Sequence, residues 1–374
     1  MYKQKNKEKG VTLIALVVSV IVLIILAGVS IAMLVGENGI ITQAQRAVQE
    51  TEQAKQNEEK SLQELEGYID SSLGGETATT VMEARGGKKY NYTTSITDDL
   101  KNRVYVPGGF RIAEDSGTKV ENGIVIEDEI GNQFVWIPTG IYKTTNGEKT
   151  NSLSRRTFTE AEAIEVGGDD LIEKYYYGEG NKNSVAKEQI EAFKISVATH
   201  GGFYIGRYEA GTEVERTEEG DTLTTPLVQA NKNAYVYVTR DQAKMQSEAM
   251  YSRNRYVTGE LISSYAWDTA LNFICQNSIH GYILATTTNS TYGNLGTNTI
   301  ELTGVYEADN YSNIHDILGN CKEWTTEYSS SSESPCVDRG GNFLHDDYYA
   351  AVRGSGNVLG SVPGYSFRLQ LYIK

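Results

Sequence analysis

At 374 residues the chain is too long for one small core, so an anchor with one large domain, or with two smaller ones, is expected. Its formal charge of −15 comes from acidic groups scattered along the chain rather than gathered in a tail, which argues against nucleic acid as a partner. With 37 glycines, 25 tyrosines and five prolines, the composition describes a folded, loop-rich protein and not a disordered one.

Lys3, Lys5, Lys7 and Lys9 precede an uncharged run from Val11 to Val35, longer than a secretory h-region and long enough to cross a bilayer as a helix. Lysines on the short side put the N-terminus in the cytoplasm and everything beyond Val35 outside. The junction Lys9-Gly10-Val11-Thr12-Leu13-Ile14-Ala15-Leu16 resembles the cleavage and N-methylation site of type IV prepilins. That resemblance implies a prepilin peptidase as partner, a cut between Gly10 and Val11, and a single-pass cell-membrane or pilus location. The family usually carries glutamate at the fifth mature position, where this chain has Ala15, and the change weighs against filament assembly. An uncleaved signal anchor is the alternative.

Residues 36–75 read as a polar stalk helix continuing the membrane segment. Their apolar positions leave a wet middle at Thr51, Lys55 and Glu58, unsuited to a coiled-coil seam. Gly74-Gly75 ends it, and residues 76–100 read as a linker with one strand. From 101 to 374 one domain is expected. Short β-prone runs come first: Val104 to Val106, Gly123 to Ile126 and Phe134 to Pro138. Thr139 to Lys194 reads as a polar surface excursion with one helix near Glu160 to Ile164. Phe203 to Glu209 returns to strand, and Arg240 to Ser252 and Ser263 to Cys275 carry helical spacing. Cys275, in an apolar run, reads as a core residue. For Cys321 and Cys336 a disulfide and separate thiols stand as alternatives.

The densest constellation is Asp316-Ile317-Leu318-Gly319-Asn320-Cys321-Lys322-Glu323-Trp324-Thr325, followed by Arg339-Gly340-Gly341, Arg353 and Phe367-Arg368. Read by chemistry it is scaffold: a tight turn at Gly319, a core anchor at Trp324, and arginine forks able to clamp carboxylates or carbonyls. With Phe134 to Pro138, Phe203 to Glu209 and Tyr265 to Leu271 in the same order, it resembles the formylglycine-generating enzyme, or sulfatase-modifying factor, family. The resemblance implies an α+β domain of C-type lectin-like fold from about Lys101 to the C-terminus. It does not carry over the chemistry, because His345 and Ala350 stand where the oxidases place two copper-binding cysteines. His200, His280, His315 and His345 show no ligand-like spacing. No catalytic residue is assigned and no cofactor is required. The resemblance also suggests calcium at Gly319, Cys321 and Glu323, through backbone carbonyls and the Glu323 carboxylate; a Glu323 salt bridge or turn hydrogen bond is the alternative.

Gly340 to Arg368 is rich in Tyr, Asp, Asn, Ser and Gly, the palette of adaptable binding loops. It lacks Lys, Glu, Gln, Met and Trp, the residues a randomised codon ending in a pyrimidine cannot encode, and so resembles the variable proteins of diversity-generating retroelements. Asn342, His345, Asp346, Asp347, Tyr348, Tyr349, Asn357 and Tyr365 are the candidate contacts for an unidentified surface ligand, protein or glycan. Arg339, Gly340, Gly341 and Arg368 are the frame. The expected function is therefore non-catalytic binding by a membrane-anchored or pilus-associated surface protein. An oxidase using another residue set and a minor pilin with a structural tip role are the competing readings.

Overall fold

The computed structural model describes residues 18, 20–22, 79–166, 180–329, 331 and 333–374. The leader, the stalk and most of the apolar run, with Gly10 and Val11, lie outside the described residues. The chain divides into two compact units, Met1–Gly75 and Glu76–Lys374. In the first, Val18, Val20, Ile21 and Val22 are helical with exposed side chains. Among the described residues no helix is long and apolar enough to cross a membrane.

The second unit is α+β. Its two larger sheets use strands β1 (Arg111–Ile112), β2 (Val125–Glu127), β3 (Gln133–Pro138), β4 (Gly202–Gly206), β5 (Val257–Leu261), β6 (Lys322–Tyr328), β7 (Cys336–Arg339), β8 (Arg353–Gly356), β9 (Tyr365–Phe367) and β10 (Leu369–Ile373). The first sheet is antiparallel and ordered β5-β10-β4-β3-β2-β1. The second is ordered β8-β7-β6-β9, with β9 parallel to β6. Phe134 to Ile137 and all of β4 and β10 are buried without alternation, because both faces of the first sheet are covered.

Three helices help supply that cover. Helix α1 (Gly180–His200) packs on β4 and β10, α2 (Arg240–Met250) on β5, and α3 (Ser264–Asn277) on β3. Phe193 of α1 meets Phe203 and Tyr372 edge-on at 5.2 and 5.6 Å between ring centroids. Trp136, Trp267 and Trp324 are fully buried.

Several expectations change. The segment read as a linker belongs to the unit: Thr80 and Glu83 form a capping box on a short helix, Val81–Ala84, and Thr94–Thr97 pairs with Arg103–Val106. Val81 and Ile96 are core residues. Where a helix was expected near Glu160 to Ile164, Arg156–Phe158 pairs antiparallel with Ala163–Glu165. Thr159 makes that turn, donating its backbone N–H to Glu162 O and accepting the Glu162 N–H on Oγ1, while Asp268 Oδ2 holds the Arg156 amide at 2.8 Å. Tertiary anchoring overrides local propensity there. The end of the supposed excursion is α1, whose inward residues Ile190, Phe193 and Val197 are diluted in a polar sequence.

The three cysteines are separate, buried thiols. The β6–β7 register sets Cys336 opposite Tyr328 at one end of the hairpin, whereas Cys321 precedes β6 at the other, so a bond between them is out of reach.

Candidate functional site

The second sheet carries the C-terminal loops, and buried ion pairs hold its strands in place. Arg368 donates from Nε to both Glu323 oxygens at 3.0 and 3.1 Å and from Nη2 to Oε1 at 2.7 Å. Its remaining reach goes to the carbonyls of Gly206 and His315, each at 2.8 Å. One fully buried guanidinium thus ties β6 to the end of β4 and to the loop before β6. Arg339 pairs with Asp268 of α3 at 2.6 Å, and Arg353 bonds the other Asp268 oxygen and, at 3.0 Å, Glu327. The arginine clamps expected of the frame are present, with carboxylate partners that the sequence left unnamed.

Of Gly319, Cys321 and Glu323, the two with side chains have protein partners. The Glu323 carboxylate is occupied by Arg368, and the Cys321 thiol faces Pro363 O at 3.9 Å. Gly319 serves close backbone approach: a Cβ there would come within 2.6 Å of Asn294 O. Among the described residues no three His, Cys, Asp or Glu side chains are grouped to hold a metal.

Around this pair lies an unusual density of buried acid. Burial pushes the Asp316 carboxyl up to about 6, and burial raises Glu209 and Asp309 well above the usual carboxylate range. Burial pushes the Glu323 carboxyl up to about 7 against the opposing pull of Arg368, while the same carboxylate holds Arg368 above its ordinary value. His315 is driven down to about 4 by burial and by Arg207 and Arg368, and is neutral. Asp309 accepts the amides of Leu318 and Gly319 at 3.0 Å each, and Asp316 accepts that of Gly304 at 2.8 Å. These acids shape the turn before β6.

Two loops rise from the frame, one between β7 and β8 and one between β8 and β9. His345, Asp346, Asp347 and Asn357 are exposed, and Tyr348, Tyr349 and Tyr365 are half-buried. Asn342 is buried, against the expectation of an outward contact: its Oδ1 accepts the His345 amide at 3.0 Å, and it closes the loop on itself. Asn357 has a similar local duty, with Oδ1 on the Leu359 amide and Nδ2 on Glu333 O. Tyr365 belongs to β9 and stacks on Trp324, centroids 4.5 Å apart and planes 9° apart.

Lys322 and Asp338 join these parts and were not singled out from the sequence. Lys322 Nζ lies 3.2 Å from the centroid of Tyr348 and 5.7 Å from that of Tyr365. His345 meets Tyr348 edge-on at 5.4 Å. The result is a continuous stack, His345, Tyr348, Lys322, Tyr365, Trp324, running from the exposed loop to the core. Asp338, fully buried 3.7 Å from Lys322 Nζ, balances its charge. Burial raises the Asp338 carboxyl and pushes the Tyr365 phenol up to about 12. The signal was available: in β6 a period of two puts Lys322 on the same face as Trp324 and opposite Glu323.

No protein-family model matches the chain, and no curated protein matches it. Solved structures that resemble the chain include three of low similarity. PvdO from Pseudomonas aeruginosa shares 14% identity over 66% of this chain and 97% of its own, with TM-score 0.36. CarF shares 13% over 66% and 99%, with TM-score 0.35. Treponema denticola variable protein 1 shares 11% over 64% and 95%, with TM-score 0.33. Likeness at this level assigns neither family nor activity to the chain.

Proposed function

We propose that this protein is a membrane-anchored surface protein whose C-terminal unit, of C-type lectin-like, sulfatase-modifying-factor type, binds a partner without catalysis through the loops between β7 and β9. The observation that carries the reading is the stack from His345 to Trp324. It fixes a polar, aromatic loop onto a buried sheet, so that exposed His345, Asp346 and Asp347 are presented at little cost in side-chain ordering. Tyr348 and Tyr349 offer aromatic contact area beside them. Buried Asn342 supports its loop, and exposed Asn357 both braces the second loop and faces the partner.

The non-catalytic part of the reading rests on chemistry. His345 is exposed and Ala350 is buried and apolar, so the two positions offer no thiolate pair. With its carboxylate held by Arg368, Glu323 serves structure, and the proposed binding needs no cofactor. Copper-dependent oxidation of a cysteine peptide by the purified chain would overturn this.

Loop exchange tests the binding site. The full-length protein is screened against arrays of cell-surface proteins and glycans, and its best partner is retested with the triple variant His345→Ala, Asp346→Ala, Asp347→Ala and with a chain whose 342–349 and 357–365 segments come from a related protein. Lost or redirected binding is expected of both, with an unchanged unfolding midpoint in the triple variant. If neither change alters partner choice or affinity, the site lies elsewhere.

A further inference from the structure

Beside the second loop, outside the residues assigned above, a cavity of about 290 Å³ opens between the segments 215–217, 233–237 and 300–302 and Pro363. Its floor is apolar, with Ala234 and Val236 buried and packed against Cys321 and Phe343. Ile300, Leu302 and Pro363 form the walls, and Leu302 is 41% exposed. Glu215 and Glu301 stand at the lining with carboxylates that have no partner among the described residues.

Arg216 also lines the cavity, and its donors are committed elsewhere. Nε bonds Val236 O at 2.8 Å, Nη1 bonds Asp221 O and Thr222 O at 2.8 and 3.0 Å, and Nη2 bonds Tyr237 O at 2.7 Å. An anion entering the cavity would find a guanidinium turned toward backbone carbonyls, whereas a cation would find two unpaired carboxylates. The volume lies at the low end of ligand pockets, which run from about 300 to 1,000 Å³. It suits one long side chain.

We propose that this cavity receives a lysine or arginine side chain of the partner protein, its methylene stem against Val236, Ile300 and Leu302 and its charged head between Glu215 and Glu301. Charge complementarity selects the occupant: the chain carries −15 overall, and apolar walls with an acidic rim fit a stem that is apolar and a tip that is cationic. Pro363 belongs to the loop between β8 and β9, so the cavity extends the proposed binding face rather than forming a remote site. The inference rests on that reading for the identity of the partner, though not for the cavity's own preference.

The experiment separates the two. N-acetyl-arginine amide and its neutral isostere N-acetyl-citrulline amide are titrated into the full-length chain in detergent, with binding followed by ligand-observed NMR. The arginine compound should bind about tenfold more tightly, the scale of one hydrogen bond to a charged group. The double variant Glu215→Gln, Glu301→Gln should abolish that preference, and Asp346→Asn, Asp347→Asn should leave it intact. Equal affinity for the two compounds, no binding of either, or a preference that survives the glutamine variant overturns the cavity assignment. So does a preference lost with Asp346 and Asp347, which would move the cation to the loop. None of these results depends on loop exchange, so the loop reading can fail while the cavity stands, and the reverse.

Discussion

Arg368→Met would leave the Glu323 carboxylate fully buried with no charge opposite, and removing one member of such a pair costs about 3 to 5 kcal/mol. Chemical denaturation should show that loss, and adding Glu323→Gln in the same chain should recover part of it, because the remaining amide is neutral. Asp316 gives a pH signature. Its folded value, near 6, lies above the ordinary carboxylate value, so the folded state holds a proton that the unfolded chain has released. Its contribution to stability is therefore complete below about pH 4 and is lost as pH rises through 6. His315 acts in the opposite sense: neutral in the fold and depressed to about 4, it favours folding above its unfolded value and loses that contribution as pH falls. Asp316→Asn isolates the first effect. Asparagine can still accept the Gly304 amide and tolerates the left-handed backbone at φ 58°, so the variant should remove that downward contribution to the melting temperature between about pH 4 and 6. An unchanged slope would show that Asp316 does not titrate there.

At the scale of elements, α2 depends on a reciprocal cap. Thr239 Oγ1 accepts the Gln242 amide at 3.3 Å, and Gln242 Oε1 accepts the Thr239 amide at 2.9 Å. Thr239→Ala should cost about 1 kcal/mol, visible as a lowered melting temperature without loss of fold. The neighbouring Val238 carbonyl accepts the Trp324 indole N–H at 2.9 Å, so the entry to α2 is joined to β6. Trp324→Ala should therefore cost more, about 3 to 5 kcal/mol, by emptying a core position and freeing the ring on which Tyr365 stacks. The strands also depend on one glycine at a close crossing. A Cβ at position 354 would lie 2.2 Å from Asp338 Oδ1, so any larger residue in β8 would force that buried carboxylate to move.

For the whole molecule, the basic leader and apolar run lead to a specific expectation about maturation. Mass spectrometry of the membrane-extracted chain should find a new N-terminus at Val11, and recovery of intact Met1 or of a cut beyond Ala27 would remove the prepilin reading. Cell fractionation bears on Ala15: if the protein co-sediments with sheared filaments, the missing glutamate does not prevent assembly.

How much was legible in the sequence follows from the range of the forces involved. The strand at Phe134 to Pro138, the strand expected at Phe203 to Glu209, which ends at Gly206, and the helices near Arg240 and Ser263 were readable, because apolar runs and helical periodicity are local patterns that burial enforces. The frame arginines were readable as clamps by residue type alone. Their partners were not, since Asp268 is 71 residues from Arg339 and Glu323 is 45 from Arg368. Nor could the sequence tell exposed His345 from buried Asn342 three residues earlier, because a loop without periodicity carries no facing signal. By itself the sequence determined the α+β alternation, the acidic character of the chain and the polar, tyrosine-rich composition of the C-terminal loops. Only the tertiary structure decided which carboxylates neutralise the buried arginines, that Lys322 links the loop tyrosines to the core, and that a cavity with two unpaired carboxylates lies beside Pro363. Each of these depends on side chains distant in the chain being brought within a few ångströms, and hydrophobic burial sets those distances only once the sheets have packed.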